Sequence, residues 1–96
     1  MKIGLDLDNT ITASKESIEF FRILTTLLIA EHKIYIITNR TPGSEQDIEN
    51  ELDCLGIEYS DIIITADKAE FINENNIQIF IDDTDENFLK LDESLL

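Results

Sequence analysis

Apolar and polar positions switch period repeatedly along the chain. "KIGLDLD" (residues 2–8), "KIYIIT" (33–38), "DIIIT" (61–65) and "IQIFIDD" (77–83) are short runs rich in β-branched residues, the pattern of strands. The second and third are almost continuously apolar, which predicts parallel strands covered on both faces. Between these runs the apolar positions recur at helical spacing. In "SKESIEFFRILTTLLIAEH", Ile18, Phe21, Leu24, Thr25 and Leu28 share a face, and Ser14 is placed to cap the start. Phe20 and Phe21 read together as core. "SEQDIENELDCLG" carries Ile48, Leu52 and Leu55 on one stripe, opens on Ser44 and Asp47 as a variant capping box, and stops at Gly56. "DKAEFINENN" predicts a short helix. "TDENFLKLDESLL" predicts a last one, with Phe88, Leu91 and Leu95 on one face.

Strand and helix thus alternate four times. This predicts an α/β, Rossmann-like layered fold: a short parallel sheet of about four strands, flanked by helices and joined by right-handed crossovers. The 96 residues make one domain, spanning 1–96, with a thin core. In such sheets ligands bind beyond the carboxyl ends of the strands. Asp6 and Asp8 end the first strand. Thr38, Asn39 and Arg40 follow the second, Thr65 and then Lys68 the third, and Asp82 and Asp83 the fourth. Converging carboxylates are hard oxygen ligands suited to Mg²⁺. One carboxylate can attack phosphorus and a second can move protons. Thr38 and the backbone after it can hold phosphoryl oxygens, with Lys68 as a point cation. A lysine that opens a helix meets the unfavourable end of the helix dipole, which argues against a merely structural role. Asp83 and Asp85 precede a predicted helix, where an acid caps as readily as it catalyses.

These four stretches, "DLDNT", "IITNR", the lysine of "ADK" and "IDDTDEN", resemble in order the four motifs of the haloacid dehalogenase superfamily of phosphohydrolases. The resemblance runs from Met1 to about Asn87. It implies Asp6 as nucleophile and Mg²⁺ ligand, and Asp8 as general acid/base with its backbone carbonyl on the metal. It implies Thr38 on the transferring phosphoryl group with the Asn39 backbone, and Lys68 between phosphate and nucleophile. Asp82 would hold the metal with Asp83 assisting, and Thr10 would brace the turn. Arg40 and Asn39 read equally as substrate contacts or as the end of a turn before "TPG". The implied activity is a Mg²⁺-dependent phosphomonoesterase working through an aspartyl phosphate, resembling nucleotidase-like members. The chain leaves no room for a cap domain, so the site is expected to be open. It also stops one helix after the fourth strand, which makes that strand a sheet edge. The terminal "ESLL" would suit a homodimer contact.

Composition narrows the alternatives. Twenty-one acids against seven Lys and Arg give a net charge of −14, which argues against a nucleic-acid polymer as partner and leaves a phosphorylated small molecule open. Cys54 alone forms no internal disulfide and reads as a packed small residue. No signal-peptide pattern opens the chain, and "ILTTLLIA" is too short to span a bilayer. The expectation is a soluble cytoplasmic protein without membrane contact. The competing function is a phosphate-binding or regulatory module that has lost turnover.

Overall fold

Four parallel strands, β1 (Lys2–Leu5), β2 (Lys33–Thr38), β3 (Asp61–Ile64) and β4 (Ile79–Ile81), form one sheet in the order β3-β2-β1-β4. Helices α1 (Lys15–Leu28), α2 (Glu45–Leu55) and α3 (Lys68–Glu74) connect them. The computed structural model describes residues 1–83. The last predicted helix, with Asp85, Phe88, Leu91, Leu95 and the "ESLL" contact, lies outside them. The small α/β architecture is the one the alternation predicts. Among the described residues, no helix is long and apolar enough to cross a membrane.

The side-chain alternation of β1 and β2 sorts the sheet into two layers. Ile3, Leu5, Ile34 and Ile36 cluster with Leu7, Ile11, Phe21 of α1, Ile48 and Leu52 of α2, and Ile57. Each fully buried aliphatic side chain here contributes about 1.5–3 kcal/mol over its exposed state. The alternate positions meet α3, where the Tyr35 ring stands edge-on to Phe71 at 5.8 Å. Gly4 belongs to this second set. A Cβ on Gly4 would lie 2.8 Å from Ile37 Cδ1 and 2.9 Å from Phe80 Cδ1, so only glycine lets Phe80 close over β1.

Helix ends follow local chemistry. The Ser14 side chain accepts from the Ser17 N–H at 3.0 Å and caps α1. Gly56 takes a left-handed φ of 74° and closes α2. Ser44 does not cap. Its backbone (φ −91°, ψ 14°) lacks the extended geometry that points an N-cap oxygen at the helix, and its hydroxyl donates to Thr41 O instead.

Three more expectations are corrected. Phe21 is core, but Phe20 is 56 % exposed, because one residue rotates the side chain about 100° around the helix. Cys54 is exposed rather than packed. β3, whose apolar run reads as covered on both faces, is an edge strand with Ile62, Ile63 and Ile64 half-buried. Among the described residues β4 forms the other edge.

Candidate active site at the carboxyl edge of the sheet

Register brings the strand ends level. Leu5 pairs with both Ile36 and Ile81, and Thr38 pairs with Ile64. Two backbone bonds extend the sheet just past the strands, from Asp6 N to Ile81 O and from Thr65 N to Thr38 O, each at 3.0 Å. Asp6, Thr38 and Asp82 therefore meet on one edge, all buried, at 4 %, 1 % and 8 % exposure.

After Asp6 the chain makes a wide turn over Leu7–Ile11, in which Asp8 is extended and Asn9 is left-handed at φ 60°. Asn tolerates that conformation better than most side chains do. The turn brings Thr10 back so that its hydroxyl donates to Asp6 Oδ2 at 3.1 Å. Lys68 donates to the other oxygen, Oδ1, at 2.7 Å. Both Asp6 oxygens are thus engaged and the carboxylate is fixed in orientation.

Lys68 opens α3, which Asp67 caps by accepting from Glu70 N. Its ammonium lies 3.8 Å from Asp82 Oδ2 and 5.9 Å from the centre of the Phe80 ring. A cation at a helix start is locally unfavourable. Here it is held by two buried carboxylates and an aromatic face, so removing it would leave buried charge uncompensated.

One oxygen from each of Asp6, Asp82 and Asp83 lies within 4.8 Å of the others. Asp83 is exposed, and its hydrogen bond to Asp82 pushes its carboxyl above the usual range, with burial and the nearby Asp6 charge adding to the shift. A carboxylate offers about four lone-pair positions, so Asp6 can accept from Lys68 and Thr10 and still face a cation. The donor set, all hard oxygens, fits a small divalent ion. A second observation concerns Thr38. Its hydroxyl oxygen is buried and has no hydrogen-bond partner among the described residues, a costly state that an anionic oxygen placed at this edge would relieve.

The other predicted residues stand at the mouth. Asp8 is not in the carboxylate cluster. Its half-exposed side chain accepts from Arg40 twice, from Nε at 3.1 Å and from Nη2 at 2.6 Å. This fork holds the Asp8 carboxyl below the usual carboxylate range. The far side of the same guanidinium donates to Glu51 of α2 at 2.7 Å. Arg40 is therefore committed to two acids rather than open to solvent. Asn39 is exposed.

Sequence reasoning missed Glu51 and assigned no role to Thr65 or Phe80. Glu51 looks like any helix-surface acid, and nothing in the chain signals its reach to Arg40. Thr65 joins the ends of β2 and β3 through its N–H, while its hydroxyl accepts from Asp67 N. Phe80 lies in the fourth apolar run, and its contact with Lys68 depends on the pairing of β4 with β1. A groove of about 590 Å³ lies at the opposite, amino-terminal edge of the sheet, lined by Met1, Lys2, His32 and Gln78 among others. It lacks the converging acids. No protein-family model matches the chain, nor does any curated protein or solved structure.

Proposed function

We propose that this chain is a Mg²⁺-dependent phosphomonoester hydrolase of haloacid dehalogenase type that forms a phosphoryl-enzyme on Asp6. The observation that carries this reading is Asp6 itself. It is a buried carboxylate held by Thr10 and Lys68, beside Asp82, Asp83 and the unpartnered Thr38 hydroxyl. In this reading Asp6, Asp82 and Asp83 hold Mg²⁺, with the Asp8 backbone carbonyl as a further oxygen. When bound, the ion supplies positive charge against the phosphoryl oxygens.

The chain's own groups do the rest. An Asp6 oxygen attacks phosphorus as the ester oxygen departs with a proton from Asp8. The Thr38 hydroxyl donates to a phosphoryl oxygen, and Lys68 balances its charge. Water then attacks the phosphoryl group, Asp8 takes its proton, and phosphate leaves with Asp6 restored. Fixed donors at the developing charge supply most of the rate gain. The substrate is a phosphorylated small molecule, nucleotidase-like in class, bound at an open mouth.

The test is hydrolysis of p-nitrophenyl phosphate and of a panel of phosphate esters with and without Mg²⁺. Asp6→Asn should lose about 10³-fold or more in kcat. Full activity in that variant overturns the mechanism. A second reading, a phosphate-binding module without turnover, draws support from the Arg40 fork, which engages both Asp8 oxygens. Phosphate binding by calorimetry with no hydrolysis across the panel would establish it.

A further inference from the structure

Arg40 follows β2 on a loop and faces two acids from different elements. Asp8 lies on the turn after β1, and Glu51 lies one turn before the end of α2. Donors on both sides of the planar guanidinium are used, by Nε and Nη2 toward Asp8 and by Nη1 toward Glu51, with Nη2 also 3.4 Å from the second Glu51 oxygen. Paired, planar bonds of this kind fix direction as well as distance. Asp8 needs such fixing. It is half exposed, next to a left-handed residue, and stands outside the Asp6, Asp82 and Asp83 cluster.

We infer that Glu51 is a positioning residue: from α2 it anchors the Arg40 guanidinium, and through Arg40 it orients the Asp8 carboxylate at the mouth of the site. The inference rests on the proposed phosphatase reading, in which Asp8 passes a proton to the leaving oxygen. The two Asp8 bonds are unequal. Oδ1 is held at 2.6 Å and Oδ2 at 3.1 Å, so Oδ2 is the oxygen that frees more readily to meet the leaving group. With Glu51 removed, Arg40 and Asp8 move as a loose pair on two loops. Misplacement of a proton donor by about 1 Å is enough to cost about 10²-fold.

Leaving groups separate positioning from general damage. Nitrophenolate departs without a proton, whereas the alkoxide of β-glycerophosphate needs one. In Glu51→Gln, the ratio of kcat on β-glycerophosphate to kcat on p-nitrophenyl phosphate should fall about tenfold. Arg40→Gln should lower the same ratio, and the double variant should lower it no further than the stronger single one, because both act through one chain of contacts. Independently of turnover, the Arg40 Nε–H resonance in ¹H–¹⁵N spectra should be sharp in the wild-type chain and broadened in Glu51→Gln.

A ratio in Glu51→Gln within about twofold of wild type, or raised, overturns the inference, as does an equal loss on both esters. If the wild-type chain cleaves neither ester, the phosphatase reading fails. The resonance then decides the anchoring alone: an unchanged Arg40 signal overturns it and a broadened one upholds it.

Discussion

Thr38 shows what a single residue discloses here. A buried hydroxyl without a partner costs roughly 1–3 kcal/mol, and the neighbouring β2 positions Ile36 and Ile37 are apolar and fully buried. Thr38→Val keeps the branched shape and removes the stranded oxygen. It should raise the urea midpoint, by up to about 1 kcal/mol of stability, while weakening phosphate binding and lowering kcat. Loss of both stability and binding would mean that the hydroxyl has a structural partner. Thr38 was legible as a site residue only through its company, since alone it is an ordinary strand threonine. Glu51 was not legible at all, because its contact with Arg40 depends on how the loop after β2 folds back over α2, and no periodicity records that.

Among the elements, β1 carries the tightest constraint. Gly4 looks like a weak point in a strand, yet its missing side chain lets Phe80 and Ile37 meet over it. Gly4→Ala drives a methyl into both and should destabilise the chain by about 1–3 kcal/mol in urea unfolding. It should also disturb Lys68, whose ammonium faces the Phe80 ring. The helices and strands themselves were readable from period and β-branching, and Ser14 and Gly56 from cap chemistry. The cap at Ser44 was not, because composition names the residue types that can cap and leaves the backbone angles open. Strand order was equally hidden. "DIIIT" has the hydrophobicity of an inner strand, but the fold spends it on an edge, since pairing order is settled by crossovers and not by apolar content.

For the molecule as a whole, under the proposed function the cluster of Asp6, Asp82 and Asp83 ties stability to pH and to divalent ions. The folded state holds a proton on Asp83 more readily than the unfolded chain does. Stability without an ion therefore falls as pH rises from the ordinary value of 3.8 through the raised one. Ion binding requires the ionised carboxylates, so Mg²⁺ should raise the Tm more at about pH 7 than at about pH 4. At about 100 times its Kd the gain is about 2.7 kcal/mol. Asp82→Asn should abolish most of that gain, and an equal Tm rise in variant and wild type would remove the cluster as the ion's site. The placement of the acids at one edge was foreseeable once a parallel sheet was predicted; their separation into a buried cluster and the clamped Asp8 was not. The pairing of β1 with β4 also fixes when the site comes into being. Asp6 is made well before its partners: the carbonyl that its N–H reaches belongs to Ile81, and Asp82 follows directly. Until β4 has been synthesised and has closed the longest loop in the sheet, the first strand waits with one side unpaired. The nascent chain thus carries Asp6 through the making of β2, β3 and the helices between them before the groups that surround it at this edge are present.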